Sequence, residues 1–217
     1  MHFLITAGGT REYIDPIRFI SNASSGRMGY ALARAALKAG HKVTLITAPT
    51  SLQVPKGALI IRVESAAEMF EGVKKHFEKC DCLVMAAAVA DYTPEKNSKL
   101  KLKKQEKNLT IKLKPTVDIL KWAGRNKKKS RAMSHEPRII VGFALEDKNL
   151  RKNAEKKLIE KKLDMIVANN ISAISNKKST VHIKPLGQPW QQFIENKKYI
   201  TARKIITLID TFSKHKY

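Results

Sequence analysis

Phe3-Leu4-Ile5-Thr6-Ala7-Gly8-Gly9-Thr10-Arg11 opens the chain, and Ser21-Asn22-Ala23-Ser24-Ser25-Gly26-Arg27-Met28-Gly29 follows it just before an apolar helical pattern. The order is a short apolar strand, glycines that let backbone N–H groups approach an oxyanion, and then a helix N-terminus. A helix start concentrates unpaired N–H groups and positive dipole, so this arrangement suits a phosphate-bearing ligand. Gly8, Gly9, Ser24, Ser25 and Gly26 are its candidate phosphate- or acyl-binding residues. Serine hydroxyls and glycine N–H groups also cap helices and close turns, and that alternative stands beside the functional one.

Working outward, apolar runs and helical periodicity alternate. Strands are expected over 3–6, 42–47, 59–63, 83–90, 139–143 and 163–168, and helices over 27–38, 118–124, 148–162 and 201–213. Ser65-Ala66-Ala67-Glu68 reads as a capping box, with Met69, Phe70, Val73 and Phe77 on one face of the helix it opens. The continuous apolar run 83–90 fits a central parallel strand. Residues 92–108 are polar, rich in lysine and long for a connection, which suits a lid over a binding site; 109–113 alternates like a short strand and 125–138 reads as a basic surface loop. Two or three weaker strands precede the last helix. The pattern predicts an α/β fold: a Rossmann-like, doubly wound, mostly parallel sheet with an additional lid and small-strand subregion. It spans one domain, 1–217, and ligands are expected at the carboxyl ends of the strands.

Composition narrows the function classes. No stretch reaches the roughly 20 apolar residues of a membrane span, and the N-terminal apolar run is too short for a signal peptide. Thirty-two Lys and ten Arg leave a formal charge of +23. That points either to an anionic partner or to a lysine-rich solvated surface. Lysine far outnumbers arginine and aromatics do not interleave with the basic clusters, so nucleic acid is disfavoured as a partner. A non-enzymatic Rossmann-like binder of nucleotide or nucleic acid is the competing class. Cys80 and Cys82 have no histidine nearby and read as ordinary thiols entering a buried strand, in keeping with a reducing cytoplasm. The six histidines are scattered and no metal site is expected. The dinucleotide fingerprint is absent: the first loop lacks the spaced glycines, and Leu45-Ile46-Thr47-Ala48 offers no acid for a ribose hydroxyl.

The stretch 5–29, together with Ala86-Ala87-Ala88-Val89-Ala90-Asp91-Tyr92, Lys101-Leu102-Lys103-Lys104, Asp118-Ile119-Leu120, Val141-Gly142-Phe143-Ala144 and Leu163-Asp164-Met165-Ile166-Val167-Ala168-Asn169, resembles the phosphopantothenate–cysteine ligases of bacterial type. The resemblance covers nearly the whole chain. It implies that 4'-phosphopantothenate is joined to L-cysteine through an acyl-nucleotide (acyl-cytidylate), in coenzyme A biosynthesis. CTP is implied as co-substrate, preferred over ATP. Mg2+ is expected to arrive with the nucleotide, and a cytoplasmic homodimer is implied, with the lid and tail strands as its contact. In many bacteria a flavin-dependent decarboxylase precedes this domain; since the chain begins at the ligase strand, that activity is expected on a separate polypeptide.

Carried over by position, the resemblance makes Asn22 a catalytic residue contacting the acyl intermediate, where the residues alone also allow a cap or turn. It places Arg18 near the same substrate, and Lys101 at the transferring phosphate, with Lys99 as its competitor because the motif can slide by two residues. Nucleotide contacts fall at Met85, Ala86, Ala87, Asp91, Lys101, Val117, Asp118, Ile119, Leu120, Phe143, Lys157 and Lys161, and an acyl or phosphate contact at Ala88. Val117 stands where the family usually has proline. Phe143 could stack on a base or fill the core. Lys157 and Lys161, four apart, share one helix face and could be a solvated stripe or a triphosphate clamp.

Overall fold

The computed structural model describes residues 1–104, 108–127, 138–170 and 178–215. The N-terminal run becomes β1 (His2–Ala7), the helical pattern becomes α1 (Arg27–Lys38), and β4 (Lys42–Thr47) and β5 (Leu59–Arg62) follow. Between β1 and α1 lies a small hairpin, β2 (Arg11–Tyr13) and β3 (Phe19–Ser21). After α2 (Ala66–Phe77) come β6 (Cys82–Met85), β7 (Tyr92–Pro94), β8 (Leu113–Pro115) and α3 (Ile119–Asn126). The chain closes with β9 (Ile139–Glu146), α4 (Leu150–Glu160), β10 (Met165–Asn170), β11 (Lys178–Pro185), β12 (Gln191–Lys197) and α5 (Lys198–His215).

Eight strands form one sheet in the order β12-β11-β10-β9-β6-β1-β4-β5. The six from β5 to β10 pair in parallel; β11 and β12 extend the edge as an antiparallel hairpin. Chain order reverses between β1 and β6, and such a switch point opens a crevice at the carboxyl ends of the two strands. This is the doubly wound, Rossmann-like fold expected from the sequence.

Strand alternation sorts the core into two faces. Phe3, Ile5, Val84, Val141 and Val167 pack against Ala33 and Ala36 of α1 and Ile205 and Ile209 of α5. Leu4, Leu83, Ile140 and Ile166 pack against Met69 and Val73 of α2, Ala123 of α3 and Leu158 of α4. The two cysteines are buried, one in each core. At the foot of α2 the buried Arg138 donates from Nε to the carbonyl of Phe77 (2.6 Å) and from Nη2 to that of Glu78 (2.9 Å), and so closes the carbonyl end of the helix.

Several boundaries differ from the sequence expectation. The central strand stops at Met85 rather than running to 90. Beyond it small side chains let the backbone leave the sheet and cross the end of β1, where Gly9 and Ala88 form an isolated bridge. The lid begins as β7, paired with β8, so the short strand expected at 109–113 forms slightly later, at Leu113–Pro115. The last helix starts three residues early, at Lys198. Most of the basic loop at 125–138 lies outside the described residues. The capping box forms with a shift of one residue: Ser65 Oγ accepts from Glu68 N (3.1 Å), while Glu68 Oε2 accepts from Glu64 N (2.8 Å).

Two glycines make the helix start possible. Gly26, the N-cap of α1, has φ 73°, a left-handed backbone that side chains disfavour. Gly29 lies so close to β1 that a Cβ there would stand 2.6 Å from Ala7 Cβ and 2.8 Å from Thr6 O. We expect Gly29→Ala to push α1 off the strand and destabilise the protein by about 1–3 kcal/mol, the usual range for overpacking, read as a lower urea midpoint.

Candidate functional site

Residues 86–90 form a strap across the carboxyl ends of β1 and β6. Ala87 N donates to Thr6 Oγ1 (3.1 Å), Ala88 N to the carbonyl of Gly8 (2.8 Å) and Ala90 N to Thr10 Oγ1 (2.9 Å). The strap's carbonyls are held too. Thr116 Oγ1 donates to Ala90 O (2.6 Å), and Asn22 Nδ2 donates to Ala88 O (3.4 Å) and Val89 O (3.1 Å). A run of alanines supplies no side-chain hydrogen bonds, so its path is set by these neighbours.

Above the strap lies a cleft of about 610 Å³. Its wall contains Asn22, Ser24, Ser25 and Gly26 from the helix start, and Met85, Ala86, Ala87, Ala88 and Asp91 from the strap region. Val117, Asp118, Ile119 and Leu120 add the α3 entrance; Phe143, Lys157 and Lys161 complete the set of expected residues found there. The structure thus gathers sixteen residues, distant in sequence, around one volume.

Four expected residues stand elsewhere. Gly8 and Gly9 lie beneath the strap, as its carbonyl acceptor and bridge partner, rather than on the cleft wall. Arg18 pairs with Asp15 (3.3 Å) in the β2–β3 hairpin and donates from Nη2 to Leu102 O (2.9 Å). Lys101 is exposed on the segment held there, and so is Lys99. The organiser of this corner is Asp15, absent from the sequence reading: its buried carboxylate accepts from the N–H groups of Ile17 (2.9 Å), Arg18 (2.8 Å) and Leu102 (3.2 Å). Those first two hydrogen bonds are the main reason its carboxyl is held below the usual carboxylate range. An Asp-Pro step at a hairpin tip was the available signal.

The structure narrows two open alternatives. Asn22 is not the cap of α1, because Gly26 holds that position and α1 has no side-chain cap, but its carbonyl does close a turn by accepting from Ser24 N (2.7 Å). Lys157 and Lys161 are no solvated stripe. Lys157 Nζ donates to Phe143 O (2.7 Å), and Lys161 Nζ meets Asp118 Oδ2 at 2.7 Å. Burial, then the charge of Lys161, pushes the Lys157 amine below its ordinary value, against the pull of Asp118, Glu146 and Asp91. Asp118 also caps α3 through Lys121 N (2.9 Å). Burial acts to raise its carboxyl, but the Lys161 and Lys121 hydrogen bonds and the two lysine charges together hold it below the ordinary value. Among the wall residues not named as site residues from the sequence are Arg27, Lys198 and Asn169. Asn169 Oδ1 is buried with no hydrogen-bond partner among the described residues. Among the described residues no group of three or more His, Cys, Asp or Glu side chains is placed to hold a metal ion.

Residues 1–212 match the family described as the DNA/pantothenate metabolism flavoprotein C-terminal domain. The chain belongs to this family. Among its relatives is the Coenzyme A biosynthesis bifunctional protein CoaBC of Bacillus subtilis (strain 168), 49% identical over 173 residues, which are 79% of this chain and 41% of that protein. The protein of the same name from Borreliella burgdorferi is 39% identical over 208 residues, 95% of this chain and 51% of its own length. The chain spans about half the length of these relatives, or less. A crystal structure of the C-terminal domain of a CoaBC protein superposes with a TM-score of 0.83 at 36% identity, covering 99% of this chain and 96% of that one. In this flavoprotein C-terminal-domain family, then, the fold described above extends over essentially the whole C-terminal unit.

The Asp118–Lys161 pair carries a pH signature. Asparagine caps α3 as well as aspartate does but cannot pair with lysine. Because Asp118 ionises more readily folded than unfolded, its contribution is complete above the unfolded value, 3.8, and is lost as pH falls through the lower folded value. Asp118→Asn is therefore expected to be less stable than the wild type at pH 7, with the difference shrinking as pH is lowered below 3.8, measured by urea unfolding across an acid pH series.

Proposed function

We propose that this chain is a phosphopantothenate–cysteine ligase acting in coenzyme A biosynthesis. The observation that carries the reading is the cleft at the switch point, which brings Asn22, the 86–90 strap, Asp118, Lys157 and Lys161 onto one wall. The homology to proteins named for coenzyme A biosynthesis supports it.

In the first half-reaction the carboxylate of 4'-phosphopantothenate attacks the α-phosphate of a nucleoside triphosphate; the acyl-nucleotide forms and pyrophosphate leaves. In the second, the cysteine amine attacks the acyl carbon; the amide forms, the nucleoside monophosphate leaves, and the amine proton is released. Neither step needs a protein nucleophile, so the work is positioning and charge neutralisation. Lys157 and Lys161 supply positive charge on the cleft wall, held by Phe143 O and Asp118 rather than free to sway. Asn22 spends its amide donors on the strap, which makes it the residue that keeps strap and helix start in register; its oxygen is left for the ligand. Arg18 and Lys101 enter by resemblance to the family, from the hairpin corner at Asp15.

CTP is the proposed co-substrate, with the strap backbone reading the pyrimidine edge. Among the described residues Asp91 and Asp118 are the carboxylates on the wall, and Asp118 is engaged by Lys161; the proposed Mg2+ comes coordinated to the nucleotide's phosphates. A homodimer is the proposed assembly. Ile17, Phe19, Tyr92, Leu100 and Leu113 are exposed on and around the two small hairpins, consistent with a covered face there. The proposed location is the cytoplasm; no helix among the described residues is long and apolar enough to cross a membrane.

Pyrophosphate release with 4'-phosphopantothenate, assayed against a nucleotide panel with and without cysteine, tests the reading. CTP is expected to support the fastest turnover, and equal or better turnover with ATP would overturn the nucleotide assignment. Asn22→Asp puts an acceptor against two carbonyls; it should retain some pyrophosphate release, lose amide formation and accumulate an acyl-nucleotide visible by mass spectrometry of quenched reactions. Lys101→Gln is expected to cut pyrophosphate release about a hundredfold, or ~3 kcal/mol in the barrier. The same loss from Lys99→Gln, with Lys101→Gln unimpaired, would move the role by two residues.

A further inference from the structure

The hairpin at the carboxyl-terminal edge of the sheet leaves a long strand open. Among the described residues β12 pairs with β11 alone, whereas the strand at the opposite edge, β5, is only four residues long. Short edge strands and prolines are common protections against an incoming strand; Gln191–Lys197 has seven residues and no proline. Its register is interrupted once. Val181 faces Phe193 and Ser179 faces Asn196, so β12 carries an extra residue past Phe193 and bulges there. Gln191, Gln192 and Phe193, facing Ile183, His182 and Val181, form the regular stretch before the bulge.

The last helix starts directly after β12 and folds back beside it. Ala202, Ile205, Ile206 and Ile209 are its buried stripe, in the core shared with α1. A second stripe, Ile200, Arg203, Lys204, Thr207 and Leu208, repeats at helical spacing and faces Phe193 across a groove of about 390 Å³. Phe193 and Leu208, half-buried against the core, make the floor apolar. Lys204 Nζ stands 4.3 Å from the centroid of the Phe193 ring, and Arg203 and Thr207 are exposed beside it. Among the described residues neither Arg203 nor Lys204 has a carboxylate within ion-pair distance. The one acid of α5, Asp210, meets His41 at 3.1 Å instead. The groove is therefore apolar along its floor and positive along its helical wall.

An open edge and an adjoining helix select an extended ligand, because backbone hydrogen bonds supply affinity and pockets for alternate side chains supply specificity. The charge of the wall selects an acidic one. A second copy of this chain is a poor occupant, since it would bring the same cations and a formal charge of +23. We propose that the edge of β12 and the α5 groove bind an extended acidic segment of a partner protein by strand addition. Its backbone pairs with β12, and an apolar side chain lies over Phe193 between Ile200 and Leu208. Carboxylates two residues to either side, on the same face of the added strand, reach Arg203 and Lys204. The groove shares no residue with the cleft at the switch point, so the proposal is independent of the ligase reading.

The probe is a blocked, fluorescein-labelled peptide in which threonine alternates with glutamate, leucine and glutamate (Thr-Glu-Thr-Leu-Thr-Glu-Thr), titrated with the full chain and read by anisotropy. Saturable binding is expected, weakened about tenfold by Arg203→Glu or by Lys204→Glu and also by Thr207→Trp, which fills the groove. Unfolding midpoints near that of the wild type would show that these variants fold. A second arm uses the wild type alone. An added strand turns the N–H groups of alternate residues toward its neighbour, so N-methylating one alternating set of the probe should abolish binding, and N-methylating the other should leave it within about twofold. Equal tolerance or equal loss for the two sets overturns strand addition. Absence of saturable binding, equal binding of a probe with lysine in place of glutamate, or displacement by oligothymidylate at the same charge concentration overturns the acidic peptide as occupant. A dimer that excludes the probe and is dissociated by Ile194→Lys would put a second copy on the edge, and overturns it as well.

Discussion

The hydrogen bonds that hold residues 86–90 over the end of β1 are the constraint on which the site depends. Thr6 and Thr10, Asn22, and Thr116 come from three separate stretches of chain, and each spends its side chain on the strap. Alanine provides no anchor of its own, yet its small side chain lets a ligand approach the backbone closely. Threonines beneath the strap and an asparagine beside it therefore do the fixing that larger residues would do by packing. In β1 the hydroxyl of Thr6 is fully buried, where an unmade hydrogen bond would be expensive. The strap N–H of Ala87 meets that need while settling the floor of the cleft.

Electrostatics builds on this floor. A chain with formal charge +23 has cations to spare, and most of them face water. What distinguishes the cleft lysines is how they are held. Lys157 is kept on Phe143 O despite burial and a neighbouring lysine, and Lys161 is balanced by Asp118, which in turn starts α3. Helix capping, ion pairing and the cation on the cleft wall are one linked unit there. Among the described residues Arg27 and Lys198, across the sheet, have no carboxylate in ion-pair distance.

The hairpin corner works by another economy. Asp15 gathers three backbone N–H groups and one guanidinium, and so ties the loop from 98 to 102 to the β2–β3 turn. This contact fixes where the lysine-rich lid sits, though the lid's own residues carry almost none of the interaction. Lys101 is placed by its neighbour Leu102, whose N–H and C=O are both engaged.

Local sequence was sufficient for much of this protein. The apolar run at 3–6, the helix at 27–38 and the strand at 42–47 emerge with nearly their expected bounds, because burial patterns of period 2 and 3.6 and the glycines at 26 and 40 act over short distances. The glycine–serine blocks at the helix start were legible as a helix-opening pocket for the same reason, and the resemblance supplied most of the remaining wall. Other features had no local signature. The apolar run 83–90 reads as one long strand, and it is the threonines of β1 and of the loop before α3, distant in sequence, that bend it away after Met85. Gly8 and Gly9 look like cradle residues but lie under the strap, since what covers them is contributed some eighty residues later. Asp15, Arg27, Asn169 and Lys198 are ordinary polar residues in sequence. Only the crossing of strands and helices at the switch point gives them their neighbours: Asp15 becomes a buried carboxylate, and Arg27, Asn169 and Lys198 come together on the cleft wall.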